Sequence, residues 1–239
     1  MAAMQDHEIA VMLDRLDRVS SPAVARFDPG APFAGRVAVL PSAFNPPTVA
    51  HMELMKLARD LPGVDSAAAL LTTKNVDKGL HGASLAHRIG MLLAMSEDGA
   101  RCAVLAANVA RIADQGRALR ETYPAADFDF VVGYDTLVRL FDSRYYEDMG
   151  ADLDDFFGRH RVIAANRGDA TVAAVEAFLD RNTEASRRRD RVIVCELHED
   201  PASLSSTAAR EAAARGEVHA AVAGTVAEYI SRHRLYRER

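Results

Sequence analysis

The chain has 239 residues, of which 49% are hydrophobic and 26% charged, with a formal net charge of −5. That length and composition suit one well-cored α/β domain, or at most two small ones. The acidic balance argues against a broad nucleic-acid surface but leaves room for a local basic pocket. No apolar run approaches the ~18 residues that a membrane span needs.

The first stretch carries early acids and lacks the basic-then-apolar pattern of a secretory signal, so a cytoplasmic location is expected. Residues 7–19 have helical spacing of Ile9, Met12, Leu13 and Leu16, and a loop rich in Pro, Ala and Gly runs on to about Gly35. Residues 1–35 are therefore expected to be an amino-terminal extension, with the main domain over 36–239. From Arg36 onward, strand-like and helix-like segments alternate. Strands are expected at 36–40, 66–72, 102–106, 128–132, 161–165 and 191–196. Helices are expected at 48–61, 85–95, 112–123, 136–141, 170–179, 207–215 and 222–232. The strands are nearly all apolar, as expected when both faces of a parallel sheet are covered. The expected fold is α/β, a single Rossmann-like doubly wound, mostly parallel sheet with helices on both faces. Cys102 and Cys195 fall in expected strands and read as buried free thiols.

The most informative segment is Pro41-Ser42-Ala43-Phe44-Asn45-Pro46-Pro47-Thr48-Val49-Ala50-His51. It leaves the carboxyl end of the first expected strand, where ligands bind in such sheets. Pro47 suits the first position of a helix, which would put Thr48 and His51 on one face of the first turn. Free amides at a helix start, together with an imidazole, make a phosphate site. A second constellation, Leu204-Ser205-Ser206-Thr207-Ala208-Ala209-Arg210, follows the last expected strand. A serine cap, a threonine in the first turn and an arginine three residues on would suit a polyphosphate. Only Lys56, Lys74 and Lys78 are lysines among 29 basic residues, and two of them share the polar loop TTKNVDKG. Arg187-Arg188-Arg189 reads as an exposed turn. His81, His87, His160, His198 and His219 show no metal-ligand spacing, so no metal site is expected. Neither GxxxxGK[ST] nor GxGxxG occurs, which excludes a P-loop and the usual dinucleotide fingerprint.

Together these pieces resemble the nucleotidyltransferase (cytidylyltransferase-like) superfamily, and within it the nicotinamide/nicotinate mononucleotide adenylyltransferases. Ser42 to His51 matches the motif G-x-F-[ND]-P-x-[HT]-x-x-H, and Leu204 to Arg210 matches [IV]-S-S-T-x-x-R. Phe130 to Asp135 is similar to the strand ending in G-x-D, Ser84 to Leu92 to the helix after the substrate loop, and Val226 to Tyr236 to the V-x-x-Y-I…L-Y ending. Ser42 stands where the motif has glycine, and the chain lacks the tryptophan on which many of these enzymes stack the pyridine ring. Tyr145, Tyr146 or Phe141 could take that part.

The resemblance implies adenylyl transfer from Mg-ATP to the phosphate of a pyridine mononucleotide, with Mg2+ carried mainly by the ATP phosphates. Thr48 and His51 would meet the α- and β-phosphates. Ser206, Thr207 and Arg210 would meet the β- and γ-phosphates, and Lys78, with Lys74 second, would reach the triphosphate or the acceptor phosphate. Ser42, Ala43, Phe44, Asn45 and Ser205 would complete the nucleotide site, Gly133 and Asp135 would touch a ribose, and Lys74, Tyr145 and Tyr146 would bind the acceptor. Loss of the His51 side chain is expected to abolish catalysis while leaving the melting temperature unchanged. The expected partners are ATP and a small phosphorylated acceptor, with no nucleic acid and no membrane, and with a homo-oligomer allowed. Three alternatives stand beside this: a transferase of the same superfamily with another phosphorylated acceptor, a nucleotide-binding regulator without turnover, and an α/β scaffold acting through its amino-terminal helix.

Overall fold

The computed structural model describes residues 6–74, 82–166, 170–197 and 205–237. Its frame is one seven-stranded sheet built from β1 (Val24–Arg26), β2 (Gly35–Ser42), β3 (Ser66–Thr72), β4 (Ala103–Ala107), β5 (Ala126–Gly133), β6 (Arg161–Ala165) and β7 (Val192–Cys195), in the order β1-β4-β3-β2-β5-β6-β7. All pairings are parallel except that of the edge strand β1 with β4. Val39 sits at the centre, paired with Ala68 on one side and Phe130 on the other.

Two cores cover the two faces, which is why the strands are apolar without alternation. Ala38 and Leu40 pack beneath α1 (Asp6–Asp17), α2 (Val49–Arg59), α3 (Leu85–Met95) and α10 (Gly224–Arg232), through residues such as Ile9, Leu54, Ile89 and Val226. Val37 and Val39 pack beneath α4 (Ile112–Thr122), α5 (Tyr134–Leu140), α6 (Met149–Phe157), α7 (Val172–Arg181) and the short α8 (Thr183–Ser186), through Leu119, Leu137, Phe156 and Val175. This is the doubly wound architecture expected from the sequence. Strand order runs outward from β2 in one direction and from β5 in the other, so the β2–β5 seam is where a ligand crevice opens at the strands' carboxyl ends. The remaining helix, α9 (Ser206–Ala214), begins beside that seam.

Several expectations are corrected. The 20–35 stretch is not simply loop, because β1 lies in it. Asn108 holds it there, accepting from the Ala23 amide at 2.7 Å and donating to the Val19 and Ser21 carbonyls, while Asp28 accepts from the Val104 amide at 2.7 Å. Helix α6 was not anticipated; Asp148 caps it and its two phenylalanines are buried. Arg188 is not exposed: it is buried and paired with Glu184 and Asp154. Cys102 is buried just before β4 and Cys195 half-buried at the end of β7, both as free thiols. Beneath the site, Asp129 is fully buried in β5 and bridges Arg36 of β2 at 2.7 Å and Arg161 of β6 at 2.6 Å, which ties three central strands together. Among the described residues, no helix is long and apolar enough to cross a membrane.

Candidate active site

Strand β2 delivers the chain to the seam, where the backbone must turn sharply. Phe44 takes a left-handed φ of 43°, the peptide between Asn45 and Pro46 is cis, and Pro47 precedes the helix instead of opening it. Thr48 is the N-cap of α2, so the helix opens at Val49 rather than at Pro47 or Thr48. His51, at the third helical position, folds back on this cap. Its Nδ1 accepts from the Thr48 amide at 3.0 Å and lies 2.7 Å from the Thr48 hydroxyl. Because a backbone N–H can only donate, Nδ1 is an acceptor and the ring proton sits on Nε2. That nitrogen faces Ser42 Oγ at 3.2 Å, and the ring packs on Phe44 with centroids 5.0 Å apart. The imidazole is 1% exposed, yet it forms part of the wall of the crevice.

The second motif reaches the same place. Ser205 caps α9 by accepting from the Ala208 amide at 3.1 Å. Ser206 Oγ donates to the Pro46 carbonyl at 2.9 Å, and Arg210 Nη1 donates to the Asn45 carbonyl at 2.7 Å while its Nη2 reaches Thr207 at 3.0 Å. Asn45 is the junction: its Oδ1 accepts from the Ala83 amide at 3.2 Å and from the Tyr236 hydroxyl at 2.9 Å. Gly82 has φ +82°, and a Cβ there would come 2.5 Å from Asn45 Nδ2, so this crossing needs glycine. The carboxyl-terminal tail and both motifs therefore meet on one loop.

Together they enclose a crevice of ≈370 Å³ lined by residues 40–45, His51, Gly133, Ser206 and Arg210. Lys74, Arg88 and Arg139 also line it, so five basic side chains face the space, and no Asp or Glu is among the described lining residues. Such a wall suits a polyanion. Arg88 was missed as a site residue. It is buried, donates to the Ala83 carbonyl at 2.9 Å and the Ala43 carbonyl at 3.2 Å, and its pKa is lowered by burial and by the nearby Arg210, against a raising influence from Tyr236. Its signal was the Ser84–Arg88 segment, recognised as a helix without a role for the arginine. Gln115, Thr136 and Ile112 at the far end were also missed. The Gln115 amide nitrogen donates to the Val109 and Ala110 carbonyls at 3.2 Å each, which leaves its buried Oε1 as an acceptor without a partner among the described residues.

Other expected residues lie elsewhere. The Thr48 hydroxyl is turned to His51 Nδ1 and the Ser205 hydroxyl caps α9, and neither residue lines the crevice. Thr207 is exposed, and Asp135 sits in the first turn of α5 without reaching the wall. Lys78 and Leu204 lie outside the described residues. Phe141 is buried and stacks on Phe157 at 5.8 Å, which removes it as a platform. Tyr145 and Tyr146 line a smaller cleft that shares Ala110, Ile112, Thr136 and Arg139 with the main crevice. Burial raises the Tyr146 pKa to about 12, and its hydroxyl donates to the Leu140 carbonyl at 2.7 Å.

No protein-family model matches the chain. A Schizosaccharomyces pombe (strain 972 / ATCC 24843) protein, described as a candidate nicotinamide mononucleotide adenylyltransferase, is 29% identical over 133 residues, which are 54% of this chain and 52% of that protein. The alignment thus spans about half the length of this curated relative. Among solved structures, a Plasmodium falciparum nicotinic acid mononucleotide adenylyltransferase complexed with NaAD superposes with a TM-score of 0.64 at 14% identity, over 84% of this chain and 97% of that one. The same enzyme complexed with APC gives 0.62 at 13% identity, over 84% and 97%. A candidate nicotinate-nucleotide adenylyltransferase from Vibrio parahaemolyticus gives 0.50 at 20% identity, over 85% and 96%. The fold is the one these structures carry, and the resemblance to the mononucleotide adenylyltransferases drawn from the motifs is borne out.

Proposed function

We propose that the chain transfers the adenylyl group of Mg-ATP to the phosphate of a pyridine mononucleotide, NMN or nicotinate mononucleotide. A phosphate oxygen of the acceptor attacks the α-phosphorus, the bond to the β-phosphate bridging oxygen breaks, and pyrophosphate leaves with that electron pair. The observation that carries this reading is that His51 and Arg210, from opposite ends of the chain, line one crevice. The named chemistry of the curated relative supports the acceptor.

An ionised phosphate is already nucleophilic at neutral pH, so no general base is needed. The protein's task is alignment, which can supply roughly 7–11 kcal/mol, and stabilisation of charge developing on the phosphates. His51 Nε2–H, held toward the crevice by the Thr48 cap, is a preorganised donor for the transferring phosphate. Arg210 and Arg88, each anchored to a backbone carbonyl, place further positive charge beside it. The described lining residues include no carboxylate and so offer no cage for a resident Mg2+. The ion belongs with the substrate, riding on the ATP phosphates. The acceptor's base then extends toward Arg139 and the Tyr145–Tyr146 cleft, where the tyrosine ring supplies the stacking surface that tryptophan gives in many related enzymes.

The test is pyrophosphate release from Mg-ATP across NMN, nicotinate mononucleotide and pantetheine phosphate. Turnover with a pyridine mononucleotide is expected. Turnover with pantetheine phosphate alone would reassign the acceptor, and ATP binding without release would make the chain a regulator.

A further inference from the structure

The sequence offered no metal-ligand spacing because the fold draws the ligands from three distant segments. Asp6 opens α1, His87 lies in the first turn of α3, and His233 caps the carboxyl end of α10. One donor atom from each lies within 4.8 Å of the other two. His233 Nδ1 is 3.8 Å from Asp6 Oδ2, and the His87 and His233 rings are neighbours tilted at 57°, with centroids 5.1 Å apart. Tyr229 closes the group: its hydroxyl is 3.2 Å from Asp6 Oδ1 and 3.2 Å from His87 Nδ1, and its ring stacks on His233 at 4.2 Å. Gly90 creates the space, since a Cβ there would come 2.2 Å from the Tyr229 oxygen.

We propose that Asp6, His87 and His233 bind a divalent transition-metal ion, Zn2+ foremost, with Tyr229 as the hydrogen-bond partner of the ligating carboxylate. Two imidazole nitrogens and one carboxylate oxygen form a borderline-soft set that suits Zn2+ and disfavours Ca2+ and Mg2+, which take oxygen ligands. Tetrahedral zinc with bonds of about 2.0–2.2 Å holds its ligand atoms ~3.4 Å apart. The 3.8 Å separation of His233 and Asp6 is a few tenths of an ångström from that spacing. A ligating carboxylate needs a second partner to hold its orientation, and the Tyr229 hydroxyl stands where that partner belongs. Asp6 is 49% exposed, so water can reach the fourth position and the ion has a route in. Bound metal would clasp α1 to α3 and α10 and stabilise the folded chain by linkage.

The experiment uses the full, untagged chain, stripped with EDTA and titrated with Zn2+ in calorimetry and thermal scans without nucleotide. One saturable site is expected, with Tm raised by about 5–10 °C when free Zn2+ is ~100 times its dissociation constant. Co2+ should give the intense visible absorption of a tetrahedral site. Asp6→Asn and His233→Ala should remove the saturable shift while keeping their metal-free Tm near that of the parent, and Tyr229→Phe should weaken binding about 10-fold. Absence of saturable binding would overturn the proposal. So would an equal shift in the Asp6→Asn/His233→Ala double variant, or an equal shift with Mg2+.

Discussion

His51 does two jobs with two nitrogens, and two substitutions separate them. Nδ1 accepts from the Thr48 amide inside a buried cap, while Nε2 faces the crevice beside Ser42. His51→Ala removes both. It orphans a buried backbone N–H, at about 1–3 kcal/mol, and loses the ring's packing on Phe44, roughly another 1–2 kcal/mol. For a chain of this length each kcal/mol is worth about 2–4 °C, so Tm should fall by about 5–15 °C. This revises the expectation, drawn from sequence alone, that the alanine variant would melt like the parent. His51→Asn places an amide oxygen near the Nδ1 position, so it keeps the cap and recovers most of that loss, but it presents no donor where Nε2 stood. Removing one preorganised donor to a transferring phosphate should cost about 10²–10³ in kcat in both variants. Calorimetric melting and pyrophosphate release, measured side by side, decide the matter. Turnover of His51→Asn within a few-fold of the parent would refute the role of Nε2. Identical melting temperatures for the two variants would refute the cap.

Arg210→Ala should weaken Mg-ATP binding about 10–100-fold in titration calorimetry, since it removes a charged donor and also frees the Asn45 carbonyl it holds. Unchanged affinity would remove it from the site. Asp129→Asn should destabilise the fold by about 3 kcal/mol in denaturant melts, because Arg36 and Arg161 lose their shared buried counter-charge while both keep some contact with water. Burial lowers the His160 pKa below its ordinary 6.5, so the unfolded chain takes up this proton before the folded chain does. Stability from this source is full above about pH 6.5 and falls as pH drops from there toward the lower folded value. Tm measured from pH 7.5 to 5 should decline less steeply for His160→Gln than for the parent.

The parallel frame was legible because its information is local. Apolar runs such as Ala67–Leu71 and Val162–Ala165 are buried on both faces and can be little else than central strands. What escaped was held by distant partners. Three residues at Val24–Arg26 carry no strand pattern, and they pair with β4 because Asn108 and Asp28 satisfy the surrounding backbone. Helix α6 is acidic on its exposed side and shows its apolar face only once Phe156 and Phe157 find the core beneath it.

The same division runs through the site. Motif spacing gave the correct neighbourhood, since both motifs open helices at the seam. It could not tell which oxygens face outward. A threonine or serine at a helix start can serve a ligand or its neighbours in the chain; the Thr48 hydroxyl is turned to His51 Nδ1, and Ser205 serves the backbone. Cation identity was similarly hidden, because Arg88 and Arg139 sit in helices whose sequence marks only a buried face. The packing of α3 against the Ala43–Asn45 loop brings Arg88 to the wall of the crevice. Ser42 gains its meaning in the same way. In sequence it is a lost glycine; in the fold its hydroxyl meets His51 Nε2, so in the proposed reaction an incoming phosphate would take that proton donor from a serine. A serine oxygen is a neutral acceptor and a phosphate oxygen a charged one, and charged hydrogen bonds are roughly twice as strong. The exchange therefore favours the ligand. Ser42→Gly should tighten ATP binding only modestly, about two- to five-fold, and a larger gain in calorimetry would mean that the serine holds the empty site shut.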